Sequence, residues 1–574
     1  MRGAVRVLWM QAAPGNLFGP PLCAALMAGL QAAMADRQTT AVVLASALRG
    51  PGQGFSGGMD LADLGRDWPE QNATPATIAR LLLEADLPVI AALHGPALGA
   101  GAEIALAARA RVAAPDLRFG LRDVLIGRLP MAGATQTLPR LIGAVQALRL
   151  LGQGGSLPAA DALAMGIVDE VTEGDLLAAA LAMAAAPPPA GRAPGLRDGR
   201  GYQAGIAQAR ADGVMPELVN CIEAAQLLPL AQGLDYEAEA ASEVAARPEA
   251  AALRHLMMAE MRMVVDLAGG KAVQRLGLWG AACWPLVLPA LRAGIEVVLA
   301  DDDREALVKA VERLALTQEE QVAAGQLGAA ARDQEWARLR PAVALDALVG
   351  LPLVVAGKPG PQGRVLYLGG HDDLGPDAAR LHLVAPGVAE LQVGQGPRNA
   401  WQTAAATLRQ MRIRLAVTQA VPAQGCGRAL VGAAQQACLW LIGQGASREA
   451  VAQALAGVMR MPLPKGEGDG RSAMAAAAMK DRVLGAVAAE AARLLEQGAV
   501  RRAGVLDALA VVGLGMPRHA GGPLFAADQR GLLLLRRDLM QWQNDHPVWA
   551  PSALLDRLVS QGARLSDAEP DAAP

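Results

Sequence analysis

Aromatic side chains are scarce, only 3% of the 574 residues, which leaves few platforms on which nucleic-acid bases could stack. Excess charge of one sign is lacking too. A formal net charge of −3 gives no electrostatic case for a nucleic-acid partner or an anionic membrane surface. No run of about 18 uninterrupted apolar residues occurs, so no membrane span is expected. The five cysteines, Cys23, Cys221, Cys283, Cys426 and Cys438, form no Cys-x-x-Cys pair. That pattern predicts buried thiols in a reducing compartment rather than a disulfide frame or a zinc site. The six histidines are equally dispersed, and no structural metal is predicted. The first residues, MRGAVRVLWMQAAPGN, lack a long apolar stretch of the secretory type, and the last, DAEPDAAP, lack a targeting tripeptide. The expected compartment is the cytoplasm.

Apolar residues are abundant, at 53%, and the length predicts roughly three to five domains. One stretch organises the chain: His94 to Gly143. It opens with a glycine-rich turn, Gly95 to Gly101, that runs into an alanine- and leucine-rich helix. Such a turn leaves N–H groups unpaired at the positive end of the helix dipole, where an oxygen that becomes negative can be held. Glu103 lies just inside that helix, and Asp123 follows a short strand at Arg118 to Gly120. Two acids beside one anion-stabilising turn suit general acid/base chemistry at a carbonyl compound. A tightly packed turn with two solvated acids is the equally weighted alternative.

Upstream, residues 4–10 alternate like a half-buried strand, 20–35 read as an amphipathic helix, and 40–47 read as a buried strand. A second glycine-rich turn follows at 50–64, with Gly57 and Gly58 where the backbone must bend and Asp60 placed to cap a helix. A further strand, 87–93, leads into the organising stretch. Two strands, each followed by a glycine-rich turn and a helix, would aim two sets of N–H groups at one crevice.

On these residues a family resemblance appears. FSGGMDL (55–61), GPALGAGAEIALA (95–107) and FGLRDVLIGRLPMAGATQTLPRLIG (119–143) resemble the signature blocks of the crotonase, or enoyl-CoA hydratase/isomerase, family, and residues 151–173 resemble the block that follows. The resemblance implies an oxyanion hole made by the N–H groups of Met59 and Ala100. It also implies catalytic carboxylates at Glu103 and Asp123 and an acyl-CoA or enoyl-CoA substrate. Three places depart from the family: Asp123 stands where Glu is usual, and Met131 and Ala134 replace glycines at a helix start.

Residues 187–213, rich in Pro, Gly and Arg, read as a linker, and 216–266 as helices. These resemble the linker helices of the multifunctional enzymes of fatty-acid β-oxidation. Arg275 to Asp302 then reads strand, turn, helix, turn, strand, the order of a mononucleotide-binding unit, with Asp301 ending its second strand. The fingerprint Gly-x-Gly-x-x-Gly falls at 278, 280 and 283, where Gly280 stands between Leu278 and Cys283. A register at 275, 277 and 280 keeps Gly277 and Gly280 but lengthens the helix. Asp301 reads as a capping or solvated acid in preference to a ribose ligand.

The region resembles 3-hydroxyacyl-CoA dehydrogenase, which implies NAD as cofactor and His382, in HLVAP, as the matching base. No acid stands at 392–394, where a partner for His382 is sought, and the family's hydroxyls and Asn are absent from LGGHD (368–372) and QGCGRAL (424–430). The departures predict a degenerate site in which NAD is not tightly bound. Toward the C-terminus, residues 439–464 recur as 492–518, a duplicated helical unit.

The expected architecture is therefore multidomain α/β. It comprises a crotonase domain of the ClpP-like β/α superhelix type (1–190), linker and helices (191–268), a Rossmann-like domain (269–398) and two repeated all-α domains (399–465 and 471–574). The expected activity is hydration of 2-enoyl-CoA to 3-hydroxyacyl-CoA, needing no cofactor, beside an inactive dehydrogenase half. The resemblance also implies a thiolase partner. Two alternatives stand beside it: a bifunctional hydratase and NAD-dependent dehydrogenase, and a non-catalytic acyl-CoA-binding scaffold.

Overall fold

A computed structural model describes residues 4–50, 52–60, 73–266, 269–361, 365–369, 379–393, 399–419, 422–466, 468, 470 and 472–569. The chain divides into two compact units, Met1–Arg254 and His255–Pro574. Among the described residues no helix is long and apolar enough to cross a membrane, and no cluster of ligating side chains could hold a metal ion.

The first unit is built on a parallel sheet in the order Val5–Met10, Ala41–Ser46, Val89–Leu93, Ala110–Ala113, Glu170–Val171. Every residue of Ala41–Ser46 and of Val89–Leu93 is buried, as strands of a parallel sheet covered on both faces require. After Leu93 the chain steps into a second sheet of three short strands, Pro96–Leu98, Arg118–Gly120 and Ser156–Pro158. The step is made at Gly95, whose φ of +53° and missing Cβ are both needed: a Cβ there would lie 2.4 Å from the Gln53 carbonyl oxygen. The helix expected after Asp60 lies outside the described residues.

The boundary expected at residue 190 does not divide the molecule. Residues read as linker form the helix Gly199–Ala211, capped by Asp198 through the Gly201 N–H at 2.9 Å. Together with Pro216–Leu227 and Leu230–Ala245 it packs into the first unit's core, burying Tyr202, Ile206, Leu218, Ile222 and Val244. Pro and Gly in the preceding segment describe its loop; the apolar spacing that follows decides where the helices go.

The second unit carries an eight-stranded sheet in the order Leu339–Ala342, Glu296–Ala300, Arg275–Trp279, Val354–Ala356, Val365–Leu368, Arg380–Ala385, Val388–Val393, Arg414–Gln419. All neighbours run parallel except Arg380–Ala385 with Val388–Val393. The last strand corrects the boundary expected at 398/399, because Arg414–Gln419 completes this sheet instead of opening a helical domain.

The repeat is visible as a long helix followed by a short one, first Cys426–Gly443 with Arg448–Leu455, then Ala476–Glu496 with Ala503–Gly513. The two copies do not form separate domains; their apolar faces share one core. Within it the Arg482 guanidinium lies 4.4–4.9 Å from the rings of Trp440, Trp542 and Trp549, a cation held by aromatic faces.

Candidate active site

The two glycine turns of the first unit meet. Ser56 N–H donates to the Pro96 carbonyl at 2.9 Å and Leu98 N–H donates to the Ser56 carbonyl at 3.0 Å, clipping one turn to the other. Gly58, with φ +103°, has no room for a side chain, since a Cβ would come 3.1 Å from the Leu98 carbonyl oxygen. Gly99 is required by its φ of +48°, and its Cβ position lies in ordinary contact with the Gly58 Cα, at 3.8 Å. Met59 and Ala100 follow these facing glycines. Among the described residues neither of their N–H groups donates to a backbone carbonyl. Ala100 also opens the helix Ala100–Ala107, which is buried along its whole length. Two donors at the positive end of a helix, in a water-poor place, can stabilise an oxyanion.

Glu103, one turn into that helix, is 2% exposed. Its Oε2 accepts from the N–H groups of Ala132 at 2.8 Å and Ala134 at 3.2 Å, in the turn that opens the helix Ala134–Ile142. Burial pushes its carboxyl well above the usual range, and the neighbouring charges of Asp123 and Glu237 push the same way. Asp123 begins the short helical turn Asp123–Ile126 and is half-buried. Its Oδ2 is buried without a hydrogen-bond partner among the described residues. Burial raises it to about 6, against the pull of the Arg128 guanidinium. The two sequence-predicted acids thus act on one another, as a pair that shares a site must.

Two residues of this site were not singled out in the sequence. Glu237, on the helix Leu230–Ala245, is 1% exposed, and its carboxylate accepts from Gly133 N–H at 2.6 Å and Thr135 N–H at 2.8 Å. Burial raises it to about 7, and Asp123 adds to the shift. Arg128 is 7% exposed and reaches Met59 Sδ at 3.8 Å and Met131 Sδ. No local spacing announces either one; Glu237 lies 104 positions from Gly133. Met131 and Ala134, the departures from the glycine-rich helix start, are both in use: Met131 meets Arg128, and Ala134 holds Glu103 by its N–H.

In the second unit, Gly280, with φ +95°, ends the strand Arg275–Trp279. A 3-10 turn, Ala281–Leu286, follows it in place of a regular helix start. Asp301 does not face outward. Its Oδ2 accepts from Ala281 N–H at 2.5 Å, while Oδ1 accepts from Asp303 N–H at 2.8 Å and from Lys358 Nζ at 2.5 Å. Lys358 also pairs with Asp302 and lies 4.6 Å from the Trp279 ring centroid. The N–H that a pyrophosphate would meet is thus already bonded to a carboxylate.

His382 is buried, and an acid does lie beside it, contrary to the expectation at 392–394. Glu390 is its direct cross-strand neighbour, fully buried. The sequence reading missed it because the hairpin joining these strands is short. Both carboxylate oxygens of Glu390 are occupied, by Thr418 Oγ1 at 2.7 Å, Cys426 N–H at 2.7 Å and Gly427 N–H at 2.9 Å. The His382 Nε2 faces Gln392 Oε1 at 3.3 Å instead. Burial lowers the His382 imidazole below its ordinary value, with Glu390 pulling in the opposite direction. Residues 370–372 of the LGGHD segment lie outside the described residues.

Comparison with known proteins bears on the first unit most directly. The family described as enoyl-CoA hydratase/isomerase matches residues 2–186. A curated relative, "Peroxisomal bifunctional enzyme" of Danio rerio, is 30% identical over 340 residues, covering 54% of this chain and 45% of its own. The chain therefore spans about half the length of that relative. Among solved structures, an enoyl-CoA hydratase/isomerase from Pseudoalteromonas atlantica is 23% identical, covering 44% of this chain and 93% of its own with a TM-score of 0.35. An enoyl-CoA hydratase from Mycobacterium avium is 27% identical, covering 42% and 94% with a TM-score of 0.31. Residues 2–186 of the chain therefore match the enoyl-CoA hydratase/isomerase family.

Proposed function

We propose that the first unit hydrates 2-enoyl thioesters of coenzyme A to 3-hydroxyacyl thioesters. The thioester oxygen lies against the N–H groups of Met59 and Ala100, which stabilise the enolate formed when water attacks the β-carbon. Glu103 and Asp123 act as one pair. The ionised member takes a proton from the attacking water, and the protonated member gives one to the α-carbon, so the pair ends with the same number of protons. The shorter Asp123 shifts the water by about one carbon–carbon bond, roughly 1.5 Å. The observation that supports this reading is the buried Glu103 and half-buried Asp123, each raised by burial, beside two facing glycine turns with available N–H groups. The test is hydration of crotonyl-CoA by the whole protein, followed as loss of enoyl absorbance. Absence of turnover would favour the scaffold reading.

The second unit we read as a Rossmann-like, dehydrogenase-type half with helical repeats, lacking a working NAD site. Support comes from the bonded Ala281 N–H and the buried Asp301–Lys358 pair. A nicotinamide dinucleotide does not fit these residues, and no step is drawn through it. Glu390 beside His382 favours a second reading, a bifunctional hydratase and dehydrogenase. NADH formation after adding NAD to the hydration assay would promote it. A thiolase, which consumes 3-ketoacyl thioesters, is the partner proposed for a chain of this type.

A further inference from the structure

The two N–H groups assigned to the oxyanion hole are oriented by different means. A peptide unit is planar and trans, so its carbonyl oxygen and its N–H point in opposite directions. In the unit that carries the Ala100 N–H, the Gly99 carbonyl accepts from Glu103 N–H at 3.0 Å, so the helix itself fixes that donor. Met59 stands in no helix. Its peptide unit is fixed from outside: the Gly58 carbonyl accepts from Phe18 N–H at 2.7 Å, in an isolated parallel bridge between Phe18 and Met59. Gly57 N–H donates to the Gly15 carbonyl at 2.8 Å, so residues 15–18 form a strap along this turn. Asn16 ties the strap down. It is fully buried and stands at φ +50°, a left-handed conformation that asparagine tolerates better than most residues. Its Oδ1 accepts from Ala12 N–H at 2.7 Å, and its Nδ2 donates to Ser46 Oγ at 2.8 Å and to the Phe55 carbonyl at 3.1 Å. The Asn16 carbonyl accepts from Ser56 Oγ at 2.7 Å, and that oxygen accepts in turn from Gly58 N–H at 3.0 Å. Ser56 also packs on the helix that carries Glu103, since a Cβ at Gly101 would lie 2.4 Å from the Ser56 Cβ.

We propose that Asn16 and Ser56 are positioning residues of the active site: with the Phe18 strap they set the direction of the Met59 N–H, and so the polarisation of the thioester carbonyl. The inference rests on the hydratase reading and deepens it, by assigning the side chains that hold one half of the oxyanion hole. The bonds from Asn16 to Ser46, Phe55 and Ser56 are all buried, so water does not compete for them. A donor held in this way needs no reorganisation at the moment of reaction. The residue type at 16 follows from the same bonds. An aspartate has no proton to give Ser46 and the Phe55 carbonyl, and a glycine takes the φ freely but brings no side-chain bonds. Losing an oxyanion donor outright costs about 10²- to 10³-fold in kcat. A donor turned off line costs less, about 10- to 100-fold.

The experiment compares the whole protein with Ser56→Ala and Asn16→Gly. It reads kcat and KM for hydration of crotonyl-CoA, and the affinity and absorbance maximum of bound para-dimethylaminocinnamoyl-CoA. In that thioester the amino group pushes electrons toward the carbonyl, so donors aimed at the carbonyl oxygen shift its absorption to longer wavelength. Ser56→Ala keeps the Cβ that meets Gly101 and loses only the hydroxyl. It should lower kcat about 10- to 100-fold with KM changed by less than about threefold, because the donor matters most where the oxygen is negative. The red shift should shrink in both variants, most in Asn16→Gly, while the chromophore still binds. A parent-like red shift in a variant that binds the chromophore overturns the proposal, since a merely structural role lowers the amount of folded protein and not the shift per bound ligand. Parent-like kcat in Ser56→Ala overturns it too, and that variant alone decides should Asn16→Gly fail to fold. If the variants reduce the shift but the parent does not hydrate crotonyl-CoA, the hydratase reading fails and this one stands. If the parent hydrates crotonyl-CoA without shifting the chromophore, this one fails and the hydratase reading stands.

Discussion

Glu103 and Glu237 grip one turn of backbone from two sides. Glu103 accepts from the N–H groups of Ala132 and Ala134, Glu237 from those of Gly133 and Thr135, so four successive donors alternate between two buried carboxylates. The turn opens the helix Ala134–Ile142, and both acids sit where the helix dipole favours negative charge. Residue Glu237 therefore braces the same segment as Glu103, the proposed catalytic acid, and its charge acts on that acid.

Replacing Glu237 by Gln should lower kcat by about 10- to 100-fold with a smaller change in KM, because an amide cannot accept from both sides and the turn shifts. The acid limb near 6 should stay in place, because Glu237, raised to about 7, is already mostly protonated there. Parent-like kcat would remove Glu237 from the support of the site.

Glu103→Gln retains an oxygen to accept from Ala132 and Ala134 but can no longer exchange a proton. Hydration of crotonyl-CoA should fall roughly 10²- to 10⁴-fold, with an unchanged thermal midpoint within a few degrees. Parent-like hydration would remove Glu103 from the chemistry.

The acid pair must hold one proton to work. Asp123, raised to about 6, is ionised above that value and protonated below it, so kcat should fall as pH drops through about 6. Asp123→Glu should raise hydration or leave it unchanged, because the longer side chain restores the reach usual in the family. A large loss would mean that the site is shaped around the shorter acid.

In the second unit, titration of the whole protein with NADH, followed by nucleotide fluorescence, should show no binding in the micromolar range. Asp301 already bonds the Ala281 N–H, and Lys358 is held by Asp301 and Asp302. Micromolar binding with steady oxidation of 3-hydroxybutyryl-CoA would establish the bifunctional reading.

Local pattern was enough to find the elements that carry the first site. The glycine-rich turns read at 50–64 and 95–101 are legible because glycine tolerates a close backbone approach. The strands Ala41–Ser46 and Val89–Leu93 are legible because a parallel sheet covered on both faces demands continuous apolar runs. Glu103 and Asp123 followed from their offsets to those turns. What sequence order alone determined was therefore the local frame and the residues fixed directly to it.

Tertiary structure decided everything that depends on distant segments meeting. It drew the helices 199–245 into the first unit's core and brought Glu237 across 104 positions to Gly133. It buried Arg128 among thioethers, and it set Glu390 opposite His382 through a tight hairpin. It turned Asp301 inward onto Ala281. The physical reason is common to the four charged side chains. A charged side chain looks the same in sequence whether solvated or buried, and only packing decides whether water or another residue satisfies it.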